Sequence, residues 1–312
     1  MNQTVGIVGV GIMGTAMARN LHEAGFTVVG YDPVPAAAAR LDSMGGQALS
    51  SPRAVAEAAQ ITIMSLPKAE ALTEVISGVD GIAQATGAGQ IVIECSTLPL
   101  DIKQAAFDVM EKNNKVLLDC PISGTGAQAV AKDLVILGSG DKAAFERCAP
   151  VFAGMSRVQH YLGPFGRGSI MKYIANHLVT IHNVAAAEAM VLGIKAGIDP
   201  AVVYDTLADS AGTSRMFQMR GPLMRDERYD EPTATIRMQL KIFRSSTPSL
   251  PISTVRCRSM PQHRRSITQV LHLDAGSRTR QRSALCLRRC TELTGRSPSR
   301  RAVALSLLIR SV

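Results

Sequence analysis

Short apolar runs alternate with helix-like stretches over residues 4–162. The runs are TVGIVGV at residues 4–10, ITIMSLP at 61–67, QIVIECS at 90–96, KVLLDCP at 115–121 and LVILGSG at 134–140. Each run is typical of a buried strand, and the Ala-rich stretches between them are typical of helices. This alternation predicts an α/β fold with a doubly wound, mostly parallel sheet that ends near residue 162.

The pattern becomes helical from about residue 165. It predicts a long helix through Lys195, a break at GIDP, another helix from Ala201, and then a polar link, MRDERYDEPTAT. From Ile242 onward no helix period extends beyond a few turns until the last dozen residues. We therefore predict three segments: a sheet domain at 1–162, the start of an all-helical domain at 163–241, and an Arg/Ser-rich tail of low order at 242–312.

Composition indicates a protein without a membrane span. The chain has 312 residues, of which 46% are hydrophobic. It has no uncharged apolar run of about 18 residues, the length that a transmembrane helix needs. The N-terminus enters a strand directly, without a secretory signal pattern, and the six cysteines are scattered. Both features favour the cytoplasm.

The excess of positive charge lies in the tail. Residues 242–312 carry 14 Arg and no Lys, with only Asp274 and Glu292 as acids, which gives a net charge of +12. Subtracting this from the net charge of +9 for the whole chain leaves about −3 for residues 1–241. The tail has one aromatic residue, Phe243, whereas single-strand nucleic-acid binders interleave many. We therefore expect no nucleic-acid partner.

The first βαβ unit carries a dinucleotide-binding pattern. GVGIMG places Gly9, Gly11 and Gly14 between a strand and a helix, with Ile12 and Met13 in the first turn of that helix. Glycines at this spacing allow a tight turn, close approach of the backbone to a pyrophosphate, and close packing of helix on strand. The helix N-terminus also favours the phosphate charge. The sequence thus predicts a dinucleotide cofactor.

Asp32 ends the second predicted strand, where an acid accepts hydrogen bonds from the ribose hydroxyls. Its charge would repel a 2′-phosphate, and the following Pro33 and Val34 supply no arginine to receive one. NAD is therefore favoured over NADP. The alternative is that Asp32 is a turn residue before Pro33.

Five ordered motifs within residues 3–241 resemble the β-hydroxyacid dehydrogenases, a family that includes 3-hydroxyisobutyrate dehydrogenase and is related to 6-phosphogluconate dehydrogenase. They are GIVGVGIMGTAMARNLHEAGFTVVGYD, SLPKAEAL, IECSTLPL, DCPISGTGAQAVAKDLVILGSGD and GPFGRGSIMKYIANHLVTIHNVAAAEAMVLGIKAGID. The resemblance implies a Rossmann domain followed by an all-helical domain. It also implies reversible NAD(P)-linked oxidation of a small 3-hydroxy acid to the 3-oxo acid, by a homo-oligomer.

The resemblance assigns roles to particular residues. Lys172 matches the catalytic lysine and Asn176 the asparagine that orients the reacting oxygen, although Ala175 stands where the family usually has a first Asn. Their spacing of four places them on one helix face. The other matches are Ser123, Gly124 and Thr125 for substrate, where the family usually reads Ser-Gly-Gly, and Leu66, Pro67, Thr97 and Lys241 for cofactor.

Several local features have more than one interpretation. Ser96 can cap the following helix or contact the cofactor. His177 and His182 lie on different helix faces, so we interpret them as packing residues and expect no metal. An imine reductase of the same superfamily would usually lack the lysine found at 172.

The family pattern ends at Lys241. The family expects Lys-Asp-Leu there, whereas this chain has Lys-Ile-Phe. One hypothesis is a reading-frame shift after Lys241; the alternatives are a basic interaction arm or a divergent domain. If the frame is shifted, the chain lacks the helices that close the active-site cleft and build the oligomer. It would then be an impaired NAD-binding remnant.

Overall fold

The computed structural model describes residues 3–228. Lys241 and the possible frame shift after it lie outside the described residues, so their interpretation stays a prediction. The strands are β1 Thr4–Val8, β2 Thr27–Tyr31, β3 Gln47–Ala48, β4 Ile61–Met64, β5 Ile91–Glu94, β6 Val116–Asp119, β7 Ile122–Ser123, β8 Val135–Gly138 and β9 Val158–Tyr161. The helices are α1 Ile12–Glu23, α2 Pro35–Ser43, α3 Pro52–Ala58, α4 Ala69–Ser77, α5 Leu100–Lys112, α6 Gly126–Val130, α7 Lys142–Arg147, α8 Ala149–Met155, α9 Arg167–Lys195, α10 Pro200–Ala208 and α11 Arg215–Arg225.

The main sheet has six parallel strands in the order β3-β2-β1-β4-β5-β6. The chain builds outward from β1 in one direction and then, from β4, in the other. This reversal creates a switch point between β1 and β4, beyond whose carboxyl ends ligands bind in folds of this kind. The predicted doubly wound parallel sheet is therefore confirmed.

The last predicted strand belongs to a second sheet. β8 lies between β7, which is antiparallel to it, and β9, which is parallel. An isolated bridge between Asp119 and Ser139 joins the ends of β6 and β8. The two short flanking strands, β7 and β9, carry too little apolar pattern to be identified from sequence. Because β8 pairs with these two strands, it belongs to a separate three-stranded sheet, whereas the sequence predicts it as part of the first sheet.

The six-stranded sheet is buried on both faces because alternate side chains of each strand point to opposite sides. One face packs Ile7, Ile63 and Ile93 with residues of α1 and α8. The other face packs Val8 and Val92 with residues of α3, α4 and α5. Strands covered on both sides are mostly apolar, which explains why their pattern is nearly continuous in the sequence.

The described chain divides into two compact units between Ile174 and Ala175, within α9. In the second unit α10 and α11 pack on the later turns of α9 around a small apolar core. That core comprises Ala186, Met190, Val203, Phe217 and Met224. The predicted polar link begins two residues too early, because Met224 and Arg225 still belong to α11.

Helix α9 has the length and apolar character of a membrane-spanning helix, with a mean hydropathy of 1.3 over 18 residues. Core helices of other folds share both properties, so they are weak grounds for a membrane span. Among its large apolar side chains, Ile174, Leu178 and Leu192 are exposed.

Candidate active site

The loop between β1 and α1 has the shape that the glycine pattern predicts. Gly9 has φ +91°, and a Cβ there would lie 2.3 Å from the carbonyl oxygen of Ser65. A Cβ on Gly14 would lie 1.9 Å from the carbonyl oxygen of Gly9, so the start of α1 packs directly on the loop. A Cβ on Gly11 would meet no atom within 4 Å. The loop is therefore tight on its inner side and open on its outer side.

The first turn of α1 offers free donors to that open side. Within residues 3–228 the backbone amides of Ile12 and Met13 make no hydrogen bond, as is usual for the first turn of a helix. Gly11, the N-cap, has no side chain to occupy them. Open space beside free amides at a positive helix end fits the pyrophosphate of a dinucleotide.

Asp32 holds the loop from the end of β2. Its Oδ2 accepts a hydrogen bond from the backbone amide of Val10 at 2.7 Å, and its Oδ1 accepts one from the amide of Val34 at 2.9 Å. Each carboxylate oxygen keeps lone pairs for further donors, such as ribose hydroxyls. Asp32 thus fits both the predicted ribose contact and the turn alternative.

Arg40 is a cation beside the glycine loop that the sequence motif does not mark. Its Nη2 donates to the carbonyl oxygen of Val10 at 3.2 Å, while the amide of the same residue donates to Asp32. The preference for NAD rests on Asp32 and on Pro33 and Val34, which directly follow it. An arginine two turns into α2 carries no local sequence signal, because its approach depends on how α2 packs.

The loops that follow β4 and β5 are joined by Ser96. Its Oγ accepts a hydrogen bond from the amide of Leu66 at 2.8 Å, and its own amide donates to Glu94 Oε1 at 2.9 Å. Helix α5 begins at Leu100 with Pro99 as its N-cap, so Ser96 does not cap it and that alternative is wrong. Thr97 is half-buried and Pro67 is exposed in the same loops.

The CPISGTG segment places two of its three predicted site residues in accessible positions. The hydroxyl of Ser123 makes no hydrogen bond within residues 3–228, and Gly124 is exposed with φ +150°. Thr125 instead caps α6: its Oγ1 accepts from the amide of Gln128 at 3.4 Å, and its amide donates to the Gln128 side chain at 3.0 Å. A Cβ on Gly126 would lie 2.7 Å from Ile12 Cγ2, so this segment borders the glycine loop.

Lys172 lies in the second turn of α9. The side chain is half-buried, and burial lowers the pKa of its amine to about 8. Tyr173, the next residue, donates its hydroxyl to the carbonyl oxygen of Leu98 at 2.6 Å. This ties the start of α9 to the loop that contains Thr97. An amine with a pKa near neutrality can both accept and donate a proton.

Asn176 lies one turn further along α9. It is 9% exposed, and its side-chain Nδ2 has no hydrogen-bond partner within the described chain. Because a buried, unpaired amide donor is costly, it marks a position suited to an external acceptor. Ala175, which replaces the family's first Asn, has no polar group to assist it.

The three cysteines within residues 3–228 are free and buried. Burial raises the pKa of Cys148 to about 12 and also raises the pKa of Cys95 and of Cys120. Their thiols therefore stay protonated near neutral pH and are poor nucleophiles. Residues 3–228 also contain no group of three potential metal ligands among His, Cys, Asp and Glu.

This arrangement of glycine loop, switch point and acid after β2 is typical of the Rossmann domain of dinucleotide-dependent oxidoreductases. Residues 4–163 match the family described as the NAD binding domain of 6-phosphogluconate dehydrogenase. Residues 166–243 match the NAD-binding region of NADP-dependent 3-hydroxyisobutyrate dehydrogenase.

Curated and solved relatives agree with these matches. L-threonate dehydrogenase of Cupriavidus necator is 32% identical over 81% of this chain and 88% of its own. NAD-dependent L-serine dehydrogenase of Pseudomonas aeruginosa is 30% identical over 70% of this chain and 73% of its own. The crystal structure of 3-hydroxyisobutyrate dehydrogenase from Salmonella typhimurium has a TM-score of 0.75 at 29% identity, covering 88% of this chain and 95% of that one. The chain belongs to the β-hydroxyacid dehydrogenase family of NAD(P)-dependent oxidoreductases.

Proposed function

We propose that this protein oxidises a small 3-hydroxy acid reversibly to the 3-oxo acid, with Lys172 as the proton-transfer group and NAD as the preferred dinucleotide. The observation that carries the proposal is the burial of Lys172, which lowers the pKa of its amine to about 8. Lysines tuned in this way serve as general acids and bases near neutral pH.

The other predicted residues have complementary roles. Ser123 and the amides around Gly124 hold the substrate carboxylate, for which a free hydroxyl and exposed backbone donors are suited. Asn176 donates its amide hydrogen to the reacting oxygen. Lys172 takes the hydroxyl proton during oxidation and returns it during reduction. The dinucleotide, when bound, supplies the hydride acceptor.

We propose the following cofactor contacts. The amides of Ile12 and Met13 face the pyrophosphate beside Gly11, and Asp32 contacts the ribose hydroxyls. Leu66, Pro67, Thr97 and Lys241 complete the predicted cofactor site, with Lys241 outside the described residues. We further propose a cytoplasmic protein without a membrane or nucleic-acid partner. The division at 1–162, 163–241 and 242–312 also remains our proposal, as does the homo-oligomer expected of an intact family member.

A substrate panel tests the proposal. The full chain is incubated with NAD and a series of 3-hydroxy acids, with the matching 2-hydroxy acids as controls, and the absorbance of NADH is followed. Reduction of NAD by the 3-hydroxy acids alone supports the proposed reaction. NADH binding without turnover by any substrate supports the second candidate, a catalytically impaired NAD-binding remnant of such an enzyme.

The rate should depend on pH with opposite sign in the two directions. Oxidation needs the neutral amine of Lys172, so its rate should rise as the pH increases through about 8. Reduction needs the protonated amine, so its rate should fall over the same interval. Initial rates measured from pH 6 to 10 in both directions, at saturating cofactor, check this. Two parallel profiles would contradict the role of Lys172.

Asp32 should control the choice between NAD and NADP. Asp32→Asn removes the charge that repels a 2′-phosphate and one acceptor for the ribose, so we expect about tenfold weaker NAD binding without a matching loss for NADP. Dissociation constants from NADH and NADPH fluorescence give the ratio. Asp42→Asn is the matched control, because the exposed side chain of Asp42 accepts a hydrogen bond only from the amide of Ala48, at 2.7 Å, among the described residues. An unchanged ratio would point to Arg40 as the stronger determinant.

A further inference from the structure

Three ionisable side chains meet in the interior beneath the carboxyl ends of β5 and β6. Lys103, from α5, places its Nζ 2.5 Å from Glu94 Oε2 and 2.8 Å from Asp119 Oδ1. All three side chains are fully buried. Although burial disfavours the charged amine, the two carboxylates raise the pKa of Lys103 above its ordinary value. The charged amine of Lys103 is therefore held between two carboxyl groups.

Asp119 also contacts the N-terminus of α9. Asp119 Oδ2 accepts the backbone amide of Ser169 at 2.7 Å, and its Oδ1 accepts the Ser169 hydroxyl at 2.7 Å. The amide of Gly168 donates to Ser139 Oγ at 2.9 Å, and that hydroxyl lies 3.3 Å from Asp119 Oδ2. A carboxylate at the positive end of a helix is stabilised by the helix dipole. Asp119, which is distant in sequence, thus caps the first turn of α9, just before Lys172.

Gly168 shows how closely this turn is seated. A Cβ there would lie 2.2 Å from the carbonyl oxygen of Leu137 and 2.6 Å from that of Asp119. The first turn of α9 therefore rests directly on the backbone at the ends of β6 and β8.

The other end of the cluster leads to the cofactor loops. Glu94 Oε1 accepts the amide of Ser96, whose Oγ in turn accepts the amide of Leu66. Lys103 therefore joins two sets of contacts: one fixes the loops after β4 and β5, and the other fixes the start of α9. Buried ion pairs contribute little to stability compared with apolar side chains of the same volume, so stability alone is a weak reason for this arrangement.

We propose that Lys103, Glu94 and Asp119 form a positioning network that sets Lys172 relative to the loops carrying Leu66 and Thr97. None of the three reaches the substrate; each acts through a neighbour. Asp119 fixes the start of α9 through its hydrogen bonds to Ser169. Glu94 fixes the loops after β4 and β5 through its hydrogen bond to Ser96. The inference rests on the proposed role of Lys172.

Ser169→Ala tests the network with a small change. It removes the hydroxyl bond to Asp119 and leaves every charge in place. We expect kcat to fall about tenfold, because small displacements of a reacting group are costly, while the dissociation constant of NADH changes less than about twofold. Ser169→Thr keeps a hydroxyl and should recover most of the rate.

Ser156→Ala is the matched control. Ser156 is also a buried serine of the first unit, and its hydroxyl donates to the carbonyl oxygen of Phe152 at 2.7 Å, in α8. We expect it to lower the melting temperature about as much as Ser169→Ala without lowering kcat. Equal kcat values in the two variants would overturn the proposal, because a merely structural role predicts that result.

A second measurement needs no turnover. Lys172 is labelled with an amine-reactive reagent across a range of pH, and the labelled peptide is quantified by mass spectrometry. A looser helix start lets water reach the amine, so in Ser169→Ala the labelling midpoint should move upward from about 8, but not in Ser156→Ala. If neither variant moves it, the proposal fails.

The two proposals fail in different ways. Full activity in Lys172→Ala would overturn the proposed function and this inference together. Loss of activity in Lys172→Ala, with Ser169→Ala matching the control in rate and labelling, would overturn the positioning network alone.

Discussion

Replacing Lys172 with alanine should lower kcat for oxidation of the hydroxy acid by about 10²–10⁴-fold, the range that a positioned general base contributes. The amine is the half-buried group whose pKa is lowered to about 8, so it is partly neutral at pH 7. NADH should still bind, because the glycine loop and Asp32 are unchanged. Steady-state rates and NADH fluorescence, measured on the same preparation, separate the loss of chemistry from a loss of binding.

Lys195→Ala is the control for this substitution. Lys195 ends the same helix and is exposed, so its removal tests the loss of a lysine from α9 without touching the site. We expect a kcat within about twofold of the parent, as for most surface substitutions. A Lys172→Ala variant with the same rate as Lys195→Ala would remove Lys172 from the mechanism.

The parallel sheet was predictable because a strand covered on both faces is apolar at most positions. β1, β4, β5 and β6 all show this pattern, and the glycine loop marks the first turn between strand and helix. β7 has two residues, which is too short for a pattern, and β9 has little apolar character, so the sequence does not predict the second sheet. The sheet to which a strand belongs depends on its pairing partners, and the apolar run of β8 does not reveal which strands pair with it.

The site was predictable where a residue belongs to a motif and not where its role arises from packing. Lys172 and Asp32 stand at motif positions. Glu94 and Asp119 do have a recognisable sequence feature, since each is an acid at the end of an otherwise apolar strand. Their partner, Lys103, lies in α5 and has the periodicity of an ordinary helix residue. Its burial follows from how α5 packs on the sheet, which local sequence does not reveal.

Lys103→Met should have the largest effect on stability. The substitution keeps the length of the side chain but leaves Glu94 and Asp119 as two buried, unpaired carboxylates. Breaking a buried pair in this way costs about 3–5 kcal/mol, a large part of the roughly 5–15 kcal/mol that stabilises a folded domain. Urea unfolding without cofactor, followed by circular dichroism, measures the loss as a shift in midpoint.

Two further variants separate charge from packing. Lys112→Met removes an exposed lysine from the last turn of the same helix and should change the free energy of unfolding by less than about 0.5 kcal/mol. Adding Glu94→Gln and Asp119→Asn to Lys103→Met removes all three charges and should recover much of the lost stability, because no buried charge is then unpaired. A single Lys103→Met variant as stable as Lys112→Met would mean that water reaches the two carboxylates. The start of α9 would then be held by Ser139, Tyr173 and close packing at Gly168 without help from the ion network.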